Sequence, residues 1–302
     1  MQESQLLKII TNSIGSSFIG DDCAFLKDVG IVVSQDTLVE DVHFRLSWMT
    51  PKELGIKSML VNISDILASG AIPAYIVISL SFPKSFDENF IKEFYDGVEI
   101  VSKEYGVKIV GGDLTRAEKV VVSICAIGKT KGRNISSRKK AKVGYKVVVA
   151  GNHGSSAAGL MALEASDYKS PFIKSHKTPV LYPQFSELLA TKCCKDYAMM
   201  DTSDGLADAL FKIAMASGVT LRVDFDKIPF DNELLKYDNY KELILFGGED
   251  YSLIGVVPQE VNLADYSVIG TAITRQSAPL EIVYNNVIKE YHSIEEFTYK
   301  HF

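Results

Sequence analysis

Cysteine is scarce in this chain: the 302 residues hold four, Cys23, Cys125, Cys193 and Cys194, with no C-x-x-C pair and no zinc spacing. Neighbouring Cys193 and Cys194 are poor disulfide partners, so all four read as small buried or half-buried thiols in a reducing compartment. Long apolar runs are missing too. None reaches the ~18 residues of a membrane-crossing helix, and residues 1–10 carry no signal-peptide core; the expected residence is cytoplasmic, with no membrane partner. Positive charge is in deficit, 32 Lys and Arg against 38 Asp and Glu for a net charge of −6. That argues against a nucleic-acid or anionic-membrane binder, and a polyphosphate ligand would need something other than protein charge to neutralise it. G-x-x-x-x-G-K-[ST], H-R-D, D-F-G and G-x-S-x-G are all absent, and the five histidines form no H-x-x-x-H. P-loop, protein-kinase, nucleophile-elbow and zinc-hydrolase readings therefore lose their sequence support.

What is present is an ordinary globular composition, 47% hydrophobic and 23% charged, at a length suited to two domains. Residues 31–34 read as a buried strand. Thr50, Pro51 and Glu53 form a capping box with Pro at the first helical position, and Leu54, Met59, Leu60, Ile63 and Leu67 continue a helix that Gly70 stops. A strand over 73–82 follows, then a helix opened by Ser85 and Glu88 and closed by Gly106. Two strands are expected at 107–110 and 119–127, with Gly111-Gly112-Asp113 between them. Residues 129–142 carry seven basic residues and mark a boundary between domains 1–138 and 139–302. Most of that segment reads as a solvated linker, with an anion contact by one Arg as the sharper alternative. The second half expects strands at 146–150, 219–225, 252–257 and 266–269 and helices at 157–165 and 206–217.

Acidic residues cluster with Gly and Ser at strand ends and helix starts: Asp21-Asp22, Asp36, Asp65, Asp113, Asp201, Asp204 and Glu249-Asp250. Carboxylates with small neighbours suit hard cations, since Mg²⁺ takes oxygen ligands at about 2.1 Å and keeps several waters. Singly, each is as well explained as a turn residue or a helix cap, and Asp204 has a helix directly after it to cap. Asp65 is different, because it lies on or beside the apolar stripe of its helix. A carboxylate there needs a metal ion or a buried basic partner. An acidic site with no evident nucleophile suits phosphoryl transfer, where positioning and charge neutralisation do most of the catalysis.

Six motifs, in order along nearly the whole chain, resemble the thiamine-monophosphate kinase family: Ile19-Gly20-Asp21-Asp22-Cys23-Ala24 with Asp36-Thr37-Leu38-Val39-Glu40-Asp41-Val42-His43-Phe44, then Val61-Asn62-Ile63-Ser64-Asp65-Ile66, Gly111-Gly112-Asp113-Leu114-Thr115-Arg116, Asp201-Thr202-Ser203-Asp204-Gly205-Leu206, Gly247-Gly248-Glu249-Asp250-Tyr251, and the ending Tyr299-Lys300-His301-Phe302. The resemblance implies an α/β (mixed α+β) chain of two-domain, aminoimidazole ribonucleotide synthetase-like architecture, the N-terminal domain's sheet pairing in a homodimer. It implies transfer of the ATP γ-phosphoryl group to thiamine monophosphate with several Mg²⁺ ions. By the same resemblance the metal ligands would be Asp22, Ser34, Gln35, Asp36, Asp65, Asp113, Asp201 and Asp204. ATP would meet Tyr95, Gly112, Asp113, Arg138 and Ser203, and the substrate His43, Glu249 and Tyr299. Ser34 and Gln35 stand where the family often has Ser/Thr-Thr, so Gln35 departs from it, and Lys300 stands where it has Asp. On spacing alone Tyr95 is a packing residue beside Phe94, and Tyr299 an anchoring aromatic near the end. The competing readings are another ATP-using enzyme of the superfamily and a non-catalytic sensor of nucleotide or thiamine phosphate.

Overall fold

The structure, a computed structural model, describes residues 3–16, 18–85 and 87–297. After α1 (Glu3–Ile14) come β1 (Ala24–Leu26) and β2 (Ile31–Val39). β2 runs five residues past Ser34, because a strand needs only one buried face: Leu38 points inward while Gln35 and Thr37 face out. α2 (Pro51–Ser69) starts as the capping box requires, with Glu53 N–H donating to Thr50 Oγ1 at 3.2 Å and Thr50 N–H to Glu53 Oε2 at 2.8 Å. It stops at Gly70, whose φ of 86° is left-handed. β3 (Ile72–Phe82) and α3 (Glu88–Tyr105) follow; the cap of α3 is Asp87, not Ser85, with Phe90 N–H donating to its carboxylate at 3.1 Å. β4 (Lys108–Arg116) contains Gly111-Gly112-Asp113 rather than ending before them, paired in parallel with β3. At Gly112 a Cβ would stand 1.9 Å from Ile78 O, so the glycine lets β4 lie close to β3. β5 (Val121–Lys129) completes a sheet of order β1-β2-β5-β3-β4.

The basic segment beyond β5 is not a solvated linker. Asn134 N–H donates to Ala190 O and its side-chain amide to Cys193 O and Lys195 O, while Ser136 N–H and Oγ donate to Ser69 O and Ala68 O. The rest of the chain is β6 (Lys146–Ala150), α4 (Ser155–Glu164), α5 (Ile173–Lys177), α6 (Pro183–Lys192), β7 (Ala198–Asp201), α7 (Leu206–Ser217), β8 (Val219–Asp224), α8 (Tyr240–Phe246), β9 (Leu253–Val257), β10 (Ser267–Thr274), β11 (Leu280–Tyr284) and β12 (Val287–Tyr291). These strands form a second sheet of order β12-β11-β8-β10-β6-β9-β7.

α2 ties the two sheets together. It is buried from Leu54 to Ser69 except at Ile56 and Asp65, as a helix enclosed on all sides must be. One side lies on β2, β3 and β5, another on α3, and a third on β7 and α6. One core therefore joins Ile63, Ile66 and Ile78 to Val148, Phe185, Tyr197 and Leu253 from the second half. The opposite face of the first sheet, with Gln35, Thr37, Ser123, Cys125, Val77 and Ser79, stays half-buried or exposed. Among the described residues no helix is long and apolar enough to cross a membrane.

Candidate active site

Carboxylates far apart in sequence meet at the C-terminal part of α2. One oxygen each of Asp22, Asp65 and Asp201 lies within 4.8 Å of the others. Asp22 comes from the loop before β1, Asp65 from α2 and Asp201 from the end of β7. Neighbouring hydroxyls orient them: Ser34 Oγ donates to Asp65 Oδ2, Ser64 Oγ to Asp201 Oδ2 at 2.7 Å, and Ser203 Oγ to Asp201 Oδ1 at 3.0 Å. Asp36 on β2 joins the group electrostatically, and its backbone N–H donates to Asn62 Oδ1 at 3.1 Å. Arg138 Nη2 donates to Asp22 Oδ1 at 2.6 Å, while Ser137 Oγ and Arg138 N–H both donate to Asp21 Oδ1. Arg138 Nε is buried without an acceptor.

Burial dominates the electrostatics. It lifts Asp65 well above the usual carboxylate range, and the charges of Asp36, Asp201 and Asp22 add to the effect. Asp201 is pushed up to about 7 by burial and Asp22, and Asp36 to about 6 by burial, Asp204 and Asp22. Burial also raises Asp22, although Arg138 opposes it. Two carboxylates 4.8 Å apart repel by about 3.5 kcal/mol at an effective dielectric of 20, so these groups ionise together only with cations among them. No Lys or Arg pairs with Asp65 among the described residues. The donor set is all oxygen, and oxygens on one Mg²⁺ are about 3.0–4.2 Å apart at ordinary bond lengths. The residues present therefore fit a divalent hard cation.

The other acids are held differently. Asp204 and Asp208 both pair with Lys212, at 2.9 and 2.6 Å. Asp250 accepts from Gly154 N–H at 2.6 Å and Ser156 N–H at 2.8 Å, capping α4. Loops 201–205 and 247–251 pack backbone against backbone: Glu249 N–H donates to Ser203 O at 2.7 Å, and a Cβ on Gly248 would meet that same oxygen at 2.7 Å. Glu249 Oε1 lies 3.1 Å from the ammonium of fully buried Lys57, and Oε2 lies 3.3 Å from His176 Nδ1.

Residues 20–130 match the family model for AIR synthase related protein, N-terminal domain. A thiamine-monophosphate kinase of Bacillus subtilis is 40% identical over 254 residues, covering 80% of this chain and 78% of that one. The Aquifex aeolicus thiamine-monophosphate kinase is 34% identical over 273 residues, 85% of this chain and 86% of its own. This chain belongs to the thiamine-monophosphate kinase family. The solved structure of AaThiL complexed with AMPPCP and TMP superposes with a TM-score of 0.89 at 30% identity, covering 100% of this chain and 97% of that one.

Of the residues assigned by resemblance to the thiamine-monophosphate kinase family, the structure gathers Asp22, Ser34, Asp36, Asp65, Asp201, Ser203 and Arg138 in one place, with Asp204 beside Asp36. Gln35 turns its side chain the other way, donating to Ser123 Oγ at 3.2 Å on the uncovered sheet face, so only its backbone is left on the acidic side. Gly112 and Asp113 lie on exposed edge strand β4. The cross-sheet row Asp36–Ile124–Ile78–Gly112 spans three strand spacings, roughly 14 Å, which sets Asp113 apart from the cluster within one chain. Tyr95 is half-buried on α3, edge-on to Phe94 at 5.3 Å. His43 Nδ1 accepts Val39 N–H at 3.0 Å, leaving the ring proton of the neutral side chain on Nε2. Tyr299 lies outside the described residues. Sequence reasoning missed Lys57 and His176 and gave Asn62 and Ser64, quoted within a motif, no role of their own. The signal was there for Ser64 and Asn62, polar residues flanking Ile63 inside an apolar helix; nothing local marked Lys57 or His176.

Proposed function

We propose that this chain transfers the γ-phosphoryl group of ATP to the phosphate of thiamine monophosphate, giving thiamine diphosphate and ADP, as a cytoplasmic enzyme. The observation that carries the reading is the convergence of Asp22, Asp65 and Asp201 oxygens within 4.8 Å in a member of a kinase family that lacks the usual kinase motifs. The AMPPCP and TMP of the similar solved structure supply the ligand pair. The four cysteines are free, and Cys194 is exposed rather than covered as expected; an exposed free thiol fits a reducing compartment.

Asp22, Asp36, Asp65 and Asp201 would hold Mg²⁺ ions, with Ser34 and the Gln35 carbonyl as further oxygen donors and Asp204 once parted from Lys212. Bound there, Mg²⁺ supplies charge neutralisation between two phosphorylated ligands. The acceptor phosphate is itself the nucleophile and is largely ionised near neutral pH, so no side chain need take a proton. The chain's own part is positioning. Ser64 and Ser203 hold the Asp201 carboxylate, Ser34 holds Asp65, and the free Nε–H of Arg138 can donate to a phosphate oxygen. Ser203 and Tyr95 would meet ATP. His43, through Nε2–H, would meet a phosphate oxygen of the substrate, Glu249 would accept an aminopyrimidine N–H, and Tyr299 would stack on a ring. Residues 1–138 form the ATP and metal half and 139–302 the half that completes the substrate site.

The uncovered face of the first sheet and the bare β4 strand support a homodimer in which a second copy encloses Gly112 and Asp113. Incubating the chain with MgATP and thiamine monophosphate should yield thiamine diphosphate. Binding of both ligands without product would replace the kinase reading by a sensor.

A further inference from the structure

We propose that Lys57 is a positioning residue: from inside the molecule it fixes the Glu249 carboxylate that receives the organic end of the phosphorylated substrate. This rests on the reading that Glu249 touches that substrate. Lys57 is completely buried in α2, and its ammonium makes no hydrogen bond in the structure. Its nearest charge is Glu249 Oε1 at 3.1 Å, an ion pair by distance without hydrogen-bond geometry. A buried ammonium is costly and is retained only with a counter-charge. An apolar residue of the same length would fill the space without that cost, so packing does not explain the lysine.

Glu249 is built to be held. Its φ of 63° is left-handed, a strained state for a side chain with a Cβ. Its N–H is tied to Ser203 O at 2.7 Å. Its two oxygens face different supports, Lys57 on one side and His176 Nδ1 on the other, and that nitrogen also lies 3.1 Å from Ser156 Oγ. Burial keeps His176 neutral at working pH, so Lys57 alone provides the counter-charge. The Glu249 side chain remains 25% exposed: one side is gripped from the core and the other opens outward.

The placement along α2 gives the grip its purpose. Ser64, which donates to Asp201 at 2.7 Å, follows Lys57 by seven residues, two helical turns further on the same face and roughly 10 Å along the axis. One rigid helix face thus sets both the acidic cluster and Glu249. A substrate with its phosphate at the cluster and an N–H donor on a ring at its far end is measured against that face.

The test is steady-state kinetics on the full chain with E249Q, K57M and the double variant. E249Q should raise KM for thiamine monophosphate about tenfold or more, leaving KM for ATP within about twofold. K57M should reproduce that split, and the double variant should be no worse than the poorer single one, because Lys57 acts only through Glu249. A silent E249Q would remove Glu249 from the substrate site and overturn both readings. An effective E249Q with a K57M that lowers only Tm, or that scales both KM values alike, would leave Glu249 in place and overturn the role of Lys57. If K57M does not fold, the ¹⁵Nζ resonance of Lys57 in the unaltered protein decides. It should shift on adding thiamine monophosphate but not on adding the nucleotide, and an unmoved signal overturns the proposal.

Discussion

Asp65 sits half-buried among other carboxylates with a serine hydroxyl as its hydrogen-bond partner, a placement that harms stability in the metal-free chain. Asp65→Asn should keep the hydrogen bond, remove one buried charge and leave Tm unchanged or raised by a few degrees. Product formation should fall on the order of 10²-fold or more. Melting curves and the thiamine diphosphate assay on one preparation separate the two effects, and near-native turnover would remove Asp65 from the site. Ser64→Ala tests the supporting hydroxyl. It deletes the 2.7 Å donor to Asp201, and the loss of a group orienting a ligand costs roughly 10–100-fold in metal affinity. Titration calorimetry with Mg²⁺ reads that loss directly. The reasons Asp65 stood out in the sequence and Lys57 did not are physical. Asp65 breaks an apolar stripe, whereas a lysine near a helix start usually extends its stem to water, and only the fold shows Lys57 turned inward.

At the scale of elements, α2 decides most of what happens. Its N-terminal box, apolar run and glycine stop are local signals, and all three appear where the residues put them. Its neighbours are not local. α2 and α3 touch through glycines: a Cβ on Gly55 would lie 2.1 Å from Phe94 O, and one on Gly97 2.1 Å from Lys52 O. Gly97→Ala should therefore separate the helices at a cost of about 1–3 kcal/mol, seen as a Tm lowered by several degrees, even though alanine favours an isolated helix. An unchanged Tm would show that the two helices can slide apart freely. β4 illustrates the limits of local reading. Two adjacent glycines argue for a turn, yet both lie within a strand: the backbone of β3 needs the room at Gly112, while a Cβ at Gly111 would meet nothing within 4 Å.

Taken as a whole, the molecule carries a pH dependence set by its buried acids. Asp36 and Asp208 are raised to about 6 and Asp201 and Asp250 to about 7, burial being the first cause in each. In the unfolded chain these groups ionise near 3.8, the ordinary value for an Asp carboxyl, so above that pH the folded state binds more protons than the unfolded one. Their contribution is complete below about pH 4 and is lost as pH rises through about 7. Metal-free protein should melt several degrees higher at pH 5 than at pH 8, and saturating Mg²⁺ should flatten that difference. A metal-free Tm that rises from pH 5 to pH 8 would contradict the burial of these groups. Assembly makes a second test at this scale. If a second copy encloses Asp113, mixing inactive Asp65→Asn and Asp113→Asn chains should restore part of the activity through hybrid dimers. No recovery in a verified hybrid would confine each site to one chain.

The residue order by itself determined the elements whose signals are short-ranged: the capped helix at 51–69, the glycine stops, the strand over 73–82 and the excess of acids beside small residues. It also determined family, because six motifs in order are a property of the chain before it folds. The motifs implied a set of metal-ligating acids, and tertiary structure alone decided which of them lie together in one chain. Asp22, Asp65 and Asp201 are separated by 43 and 136 positions, and, Asp65 with its place on an apolar stripe apart, no local pattern distinguishes them from Asp250, which caps a helix instead. The reason is that a carboxylate's chemistry depends on what surrounds it in space. Burial, neighbouring charge and the direction of nearby hydroxyls exist only once α2 has been packed between two sheets.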